Sequence, residues 1–192
     1  MRRLMILCAA LLLGCSQPPR FFSTDITGAE FGREFSAPLT EHTGQLRRLA
    51  DFRGKAVVIF FGYTQCPDVC PTTLSSLAQV LKLLGKDAQR VQVLFITVDP
   101  ERDTRELLAA YVPQFDPSFI GLNSDLATTA ATALEFKVFY QKQAGSSPTT
   151  YSVDHSANSY VYDPQGRLRL YVKHGETPEN ITADIKLLLA GK

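Results

Sequence analysis

Two short runs dominated by apolar residues constrain the fold of this chain more than any other feature of its sequence. Residues 56–61 read AVVIFF, and residues 91–98 read VQVLFITV. Runs of this length that are rich in β-branched and aromatic residues are typical of strands buried on both faces, as in a parallel sheet. The sequence therefore predicts a single α/β domain with these two strands at its centre.

The segments around these strands predict helices on both sides of the sheet and a hairpin near each end. After the first strand, apolar residues recur at helical spacing over residues 71–84, and Gly85 follows. Further helices are predicted over residues 104–112, 125–136 and 178–189, and further strands over residues 119–122, 159–162 and 168–172, with an early hairpin within residues 35–46. This order is that of a thioredoxin-like fold, with a mixed central sheet, an N-terminal hairpin extension and flanking helices.

The composition excludes several classes of protein. Lys and Arg number 20 against 19 Asp and Glu, a formal net charge of +1, and the hydrophobic fraction is 45%. A hydrophobic fraction this high argues against a mainly disordered chain. A nearly neutral chain without a basic run also argues against binding to nucleic acid through its phosphates, so we expect no nucleic-acid partner.

The N-terminus has the pattern of an exported lipoprotein. A basic start precedes ten apolar residues, 4–13, which as a helix would measure about 15 Å and would be too short to span a bilayer. The end of this segment, LLGC at residues 12–15, resembles the lipobox of bacterial lipoproteins. We therefore predict a signal peptide over residues 1–14, a lipid on Cys15, a flexible tether over residues 15–24 and a folded domain over residues 25–192. Ordinary secretion and an uncleaved anchor helix are the alternatives.

The two remaining cysteines lie where an α/β fold carries its chemistry. Cys66 follows the first buried strand and Cys70 lies at the start of the next helix, with three residues between them. Functional sites of open α/β sheets lie at the carboxyl edge of the strands, and a thiol at a helix N-terminus is favoured as thiolate. One helical turn separates their Cα atoms by about 6 Å. The pair could therefore close a disulfide or converge on one soft metal ion.

The sequence points to copper as the metal. Two cysteines are too few for an iron–sulfur cluster or a structural zinc site, whereas Cu(I) accepts two or three ligands. His155 precedes the predicted strand at residues 159–162, so in this fold its loop faces the cysteine-bearing turn, and Asp154 is placed to orient it. His42 and His174 have no predicted thiol neighbour.

Five segments of the chain resemble the Sco/SenC family. They are DITG at residues 25–28, DFRGK at 51–55, FGYTQCPDVCP at 61–71, VDPERDT at 98–104 and VDHS at 153–156. The resemblance implies a membrane-anchored thioredoxin-like protein that binds one copper ion, Cu(I) or Cu(II), through Cys66, Cys70 and His155.

The resemblance also implies a cellular role. Members of that family help assemble the copper centre of cytochrome c oxidase subunit II, as metallochaperones, as reductants of its cysteine pair, or as both. Other periplasmic copper chaperones or thiol reductants are then expected partners. The expected location is the periplasmic face of the cell envelope, with the lipid in the inner membrane.

Other functions for the cysteine pair compete with copper binding. A periplasmic thiol–disulfide oxidoreductase without metal would use Cys66 and Cys70 as a redox-active dithiol. A thiol peroxidase and a purely stabilising disulfide are further alternatives.

Nearby polar residues receive simpler interpretations. Asp68 is expected to shape the turn beside the cysteines or to contact the first helical amides. We predict that Asp103 caps the following helix, and that Arg102 and Arg105 lie on a solvated helix start.

Overall fold

The structure is a computed structural model that describes residues 20–147 and 150–192. The predicted signal peptide, Cys15 and residues 16–19 of the predicted tether lie outside the described residues. Within the described ranges, no helix is long and apolar enough to cross a membrane.

The predicted strands and helices all occur, in the predicted order, among the elements of the described chain. The strands are β1 (Thr24–Asp25), β2 (Leu39–Glu41), β3 (Leu46–Arg47), β4 (Ala56–Gly62), β5 (Val91–Thr97), β6 (Ile120–Asn123), β7 (Tyr140–Ser147), β8 (Thr150–His155), β9 (Ser159–Tyr162) and β10 (Leu168–Val172). The α-helices are α1 (Val69–Leu84), α2 (Arg105–Tyr111), α3 (Leu126–Glu135) and α4 (Pro178–Leu189). Short 3-10 helices cover Leu49–Phe52, Gly85–Arg90 and Val112–Gln114.

The main sheet is mixed, and its two central strands are those that the apolar runs predict. Its strand order is β1-β10-β9-β4-β5-β6-β2-β3. β4 pairs parallel with β5 and antiparallel with β9, and every residue of β4 and β5 is buried. β2 and β3 form the predicted N-terminal hairpin and join the sheet through β6. The predicted thioredoxin-like arrangement is confirmed.

The start of α1 differs from the sequence prediction by two residues. The predicted helix begins at Pro71, whereas the structure begins it at Val69, after an N-cap at Asp68. Pro71 is then the third residue of the helix, where its missing N–H would have no intrahelical partner in any case. This earlier start places Cys70 inside the first turn of α1 and leaves Cys66 in the preceding turn.

The β7–β8 hairpin was not predicted, and its two strands pair with each other as a separate two-stranded sheet. Tyr140 lies opposite His155 at its base, next to the main sheet. The sequence of β7, YQKQAGSS, has few apolar residues, and residues 141–145 are exposed. A strand without a buried face has no hydrophobic alternation, so the pattern that identifies half-buried strands is missing here.

Candidate metal centre

The two cysteines occupy the junction between β4 and α1. Cys66 is partly buried in the turn, and Cys70 is fully buried at the second residue of α1. The backbone N–H of Cys70 donates to the Cys66 sulfur over 3.4 Å. This N–H is one of the first-turn donors that a helix leaves without an intrahelical partner, so the Cys66 sulfur satisfies it.

His155 reaches the cysteines from strand β8. It is the last residue of β8, and its Nε2 lies 3.3 Å from the Cys70 sulfur. Its Nδ1 lies 3.0 Å from the backbone oxygen of Ser156. Because a carbonyl oxygen only accepts hydrogen bonds, Nδ1 carries the proton and the lone pair of a neutral ring is on Nε2, facing the thiols.

Aromatic rings hold the imidazole on two sides. Its centroid lies 6.0 Å from that of Phe60 and 5.8 Å from that of Tyr63, in edge-to-face arrangements. Phe60 and Tyr63 flank the end of β4, and both are buried. The imidazole therefore has only a few available orientations once the β7–β8 hairpin is in place.

The two thiols differ strongly in acidity. A hydrogen bond from the Cys70 thiol, aided by the backbone amides of Asp68 and Cys70, lowers the pKa of Cys66 to about 4 against the opposing effect of burial. The same thiol–thiolate hydrogen bond, together with burial, raises the pKa of Cys70. At neutral pH the metal-free pair is therefore one thiolate and one thiol.

Gly62, the last residue of β4, leaves the room that the Cys70 side chain occupies. A Cβ at this position would lie 2.7 Å from the Cys70 sulfur and 2.9 Å from Cε2 of Phe95. Both distances are far inside van der Waals contact. Any side chain at Gly62 would therefore displace the thiol or the ring behind it.

The three predicted ligand residues come together in space. The Cys66 and Cys70 sulfurs and a ring nitrogen of His155 all lie within 4.8 Å of one another, a group that could hold a metal ion. The other two histidines bind elsewhere: Nδ1 of His42 accepts from the Gly121 N–H, and Nδ1 of His174 bonds to the Thr73 hydroxyl.

The two predicted supporting acids have different surroundings. The backbone of Asp68 contacts the Cys66 sulfur, and its carboxylate accepts from the Thr72 hydroxyl over 3.3 Å. Asp154 is exposed and accepts from the Gln143 side chain over 2.7 Å. The Nδ1 partner of His155 is the Ser156 backbone, and within the described part of the chain no hydrogen bond joins Asp154 to the ring.

Asp103 has a structural role that the sequence prediction missed. The predicted helix cap is wrong: Thr104 caps α2, and the fully buried Asp103 carboxylate faces the cysteine turn. It accepts from the N–H and hydroxyl of Thr64 over 3.0 and 2.6 Å and from the Thr97 hydroxyl over 2.6 Å. The only signal in the sequence was its place just beyond a buried strand, at the edge where the cysteines also lie.

Arg102 is also not the solvated residue that the sequence suggested. Its side chain is only 14% exposed and pairs with the buried carboxylate of Asp99 over 2.5 Å. Arg105 is half-exposed and pairs with its neighbour Glu106 over 3.7 Å, in agreement with a solvated helix start.

Comparison with known proteins places this arrangement in one family. The family model described as SCO1/SenC matches residues 23–190. "Protein SCO2 homolog, mitochondrial" of Bos taurus is 38% identical over 154 residues, which are 79% of this chain. The alignment spans 58% of the length of that relative.

Solved structures resemble the chain over most of its length. The copper-bound ScoI of Bradyrhizobium japonicum is 40% identical with a TM-score of 0.74, and the match covers 80% of this chain and 97% of that one. A SCO1/SenC family lipoprotein from Bacillus anthracis is 25% identical with a TM-score of 0.68, over 79% of this chain and 91% of that one.

Proposed function

We propose that this chain, which belongs to the SCO1/SenC family, binds one copper ion and helps assemble the copper centre of cytochrome c oxidase. The observation that carries the proposal is the convergence of Cys66, Cys70 and His155 within 4.8 Å. The copper-bound relative from Bradyrhizobium japonicum supports copper as the ion.

The donor set fits copper better than the other metals that thiolates bind. Two sulfurs and one imidazole nitrogen are three ligands, one fewer than a structural zinc site uses. Thiolates select Cu(I), and imidazole is compatible with either oxidation state of copper. The site therefore suits an ion that is held as cargo and released to a partner.

The protonation states of the two thiols determine which proton must leave when copper binds. Cys66 is a thiolate at neutral pH, whereas the raised pKa of Cys70 keeps its proton in place. Metal ligands must be deprotonated, so binding through both sulfurs releases the Cys70 proton. His155 contributes the lone pair of Nε2 without losing a proton.

The expected recipient is subunit II of cytochrome c oxidase. Cys66 lies in the exposed turn and is the ligand that an incoming thiol of the partner reaches first, whereas Cys70 is fully buried. Transfer then proceeds by exchange of one ligand at a time. Other periplasmic copper chaperones or thiol reductants are the expected donors of copper and electrons.

The difference in acidity between the thiols also favours a second function, reduction of the partner's disulfide. The Cys66 thiolate attacks one partner sulfur, forms a mixed disulfide and releases the other partner sulfur as a thiolate, which takes up a proton. Cys70 then loses its proton and attacks Cys66, which frees the partner as a dithiol and leaves a Cys66–Cys70 disulfide. Two electrons pass to the partner, so a periplasmic thiol reductant must restore the pair.

A lipid on Cys15 is the proposed anchor. The LLGC sequence and the basic, apolar segment before it support this, and a lipoprotein occurs among the relatives of the chain. The tether is shorter than the predicted residues 15–24, because the backbone N–H groups of Phe22 and Ser23 donate to the Asp184 carboxylate and Thr24 begins β1. With the residues before these as tether, the folded domain would work at the periplasmic face of the inner membrane. Asp154 and Asp68 remain proposed supporting residues of the metal site.

An anaerobic copper titration tests the proposed function. The full chain, solubilised in detergent and with Cys8 and Cys15 replaced by serine, leaves Cys66 and Cys70 as the only thiols. We expect one copper ion per chain, no tight binding in the Cys66→Ala/Cys70→Ala variant, and weakened binding in His155→Ala. His174→Ala, whose ring bonds to Thr73, is the matched histidine control and should bind like the parent chain.

The outcomes separate the two functions. Copper binding that does not depend on both cysteines would contradict the metal site. No tight copper binding, with a dithiol that still reduces a disulfide, would make the protein an oxidoreductase.

A further inference from the structure

Backbone pairing in the main sheet does not by itself determine the position of His155. Its strand, β8, pairs with β7 and with no strand of the main sheet. The regular backbone hydrogen bonds of this hairpin are therefore internal to it. Besides the short link from His155 to β9, which begins at Ser159, side-chain contacts therefore determine how far the hairpin, and with it the imidazole, lies from the thiols.

One guanidinium group connects the hairpin to the rest of the site. Arg102 donates through Nη1 to the backbone oxygen of Tyr151 in β8 over 2.9 Å. Nη1 also lies 3.2 Å from Oε1 of Gln65, the residue before Cys66. Arg102 therefore contacts the histidine-bearing hairpin and the cysteine-bearing turn at the same time.

Asp99 fixes this guanidinium and also binds the hairpin directly. Its fully buried carboxylate accepts from Nε of Arg102 over 2.5 Å and from the Tyr151 hydroxyl over 2.7 Å. Asp99 lies just beyond β5, the strand paired with β4. The three residues, which we call the Arg102 clamp (Asp99, Arg102 and Tyr151), thus attach β8 to the central strands.

Ring contacts extend the clamp to the imidazole. The Arg102 guanidinium carbon lies 3.5 Å from the centre of the Tyr151 ring and 5.7 Å from that of Tyr63. Tyr63 in turn packs edge-to-face against His155. A guanidinium over the face of an aromatic ring is attracted by the ring electrons, and this contact stabilises the stack.

We propose that Arg102 is a positioning residue of the candidate metal centre, which holds the β7–β8 hairpin so that His155 reaches the two thiols. The proposal rests on the proposed function. Within the described ranges, none of the hydrogen bonds, ion pairs or ring contacts of Arg102 is to a ligand atom of the metal group, so its effect on the metal passes through the hairpin. The role requires a planar group with several donors and a stacking face, which arginine has and lysine lacks.

A double-mutant cycle tests whether Arg102 acts through His155. The variants are Arg102→Ala, His155→Ala and the two combined, with Arg102→Lys as the conservative change. Arg105→Ala is the matched control, because Arg105 has the same charge and lies three residues along the chain in an exposed pair with Glu106. Copper affinity is measured by competition with a chelator, and nitrogen coupling in the electron paramagnetic resonance spectrum of the Cu(II) form reports the imidazole.

We expect Arg102→Ala to weaken copper binding by about 10- to 100-fold, the range seen when a partner that orients a ligand is lost. The copper affinity of Arg102→Lys should be close to that of Arg102→Ala, and the copper affinity of Arg105→Ala should be close to that of the parent chain. In the His155→Ala background, Arg102→Ala should add less than about a twofold loss, because the ligand it positions is already gone. Additive losses, or full nitrogen coupling in Arg102→Ala, would overturn the proposal.

A metal-free measurement separates this proposal from the proposed function. Amide hydrogen exchange should become faster in β8 of Arg102→Ala and stay unchanged in β4. Tyr151→Phe removes only the hydroxyl hydrogen bond to Asp99. It should make exchange in β8 faster, but by less than Arg102→Ala does. This variant tests the clamp even if Arg102→Ala does not fold. Unchanged β8 exchange in both variants would overturn the clamp. Faster β8 exchange in these variants, together with a parent chain that binds no copper, would support the clamp and contradict the proposed function.

Discussion

Cys66 lies between β4 and α1 and Cys70 lies in the first turn of α1, whereas His155 lies on a two-stranded sheet apart from the main one. We call Cys66, Cys70 and the β4–α1 junction the cysteine half of the site, and His155 with the β7–β8 hairpin the histidine half. The cysteine half is supported by the backbone of the main sheet, since β4 is fully buried and pairs on both sides. The histidine half depends on the side chains of a few residues, with Arg102 at their centre. We therefore expect changes at the thiols to affect the stability of the whole fold, and changes at the imidazole to leave the fold intact.

The largest effect is expected from Gly62→Val, which places a side chain where the Cys70 sulfur and the Phe95 ring lie. Overpacking of a rigid core costs about 1–3 kcal/mol, and we expect the upper end because both neighbours are fully buried. Urea denaturation measures the loss. His155→Ala is the comparison and should change the free energy of unfolding by less than about 1 kcal/mol. Equal losses would mean that both halves belong to one cooperative unit.

Asp103→Ala should have the second largest effect on the free energy of unfolding, because it leaves the Thr64 and Thr97 donors without their acceptor in the buried cysteine half. Unsatisfied buried groups cost about 1–3 kcal/mol, so we expect a loss of about 2 kcal/mol by urea denaturation. Asp125→Ala removes an exposed helix cap and should cost about 1 kcal/mol. A smaller loss for Asp103 than for Asp125 would contradict the support that we assign to it.

The thiol pair supplies a pH prediction within the cysteine half. Because the pKa of Cys66 is about 4, its alkylation rate should stay nearly constant from pH 7 to pH 5 and fall only as protonation begins near pH 4. Cys70→Ala removes the donor that stabilises the thiolate. A hydrogen bond to a charged group contributes about 1.5–3 kcal/mol, so the pH midpoint of the Cys66 alkylation profile should rise by about 1–2 units. His155→Ala should shift it less, and an unchanged midpoint in Cys70→Ala would mean that the Cys70 thiol does not lower the pKa of Cys66.

The smallest effect is expected from Lys142→Ala, which removes an ion pair between β7 and Glu101. Both side chains are more than 40% exposed, so solvent screens the pair and its loss should cost less than about 0.5 kcal/mol. Copper affinity, measured by the same competition, should change less than about twofold. A loss as large as that of Arg102→Ala would show that the exposed pair, rather than the Arg102 clamp, holds the hairpin.

The sequence predicted the cysteine half well because backbone patterns determine it. The buried strand at residues 56–61 and the helical spacing after it placed Cys66 and Cys70 at one sheet edge, and β4 and α1 confirm that arrangement. His155 was placed near them from the order of the strands, and its side chain does meet the Cys70 sulfur.

The support of the histidine half could not be predicted in the same way. β7 is polar and exposed, so its pairing leaves no periodic signal. Asp99 and Arg102 are charged residues after a strand, a pattern that usually indicates a solvated turn. They are buried here because they bind one another and the residues of distant segments, and such pairing depends on tertiary contacts that local sequence does not encode.

The unequal acidity of the two thiols has an electrostatic consequence for exchange with a partner. One thiolate and one thiol carry a net charge of −1, and two thiolates holding Cu(I) carry the same net charge. Under the proposed function, loading with Cu(I) would therefore replace one buried positive charge, a proton, by another and leave the long-range field of the domain unchanged. A partner must then distinguish the loaded protein from the empty one by the shape of the site, which ionic strength does not screen.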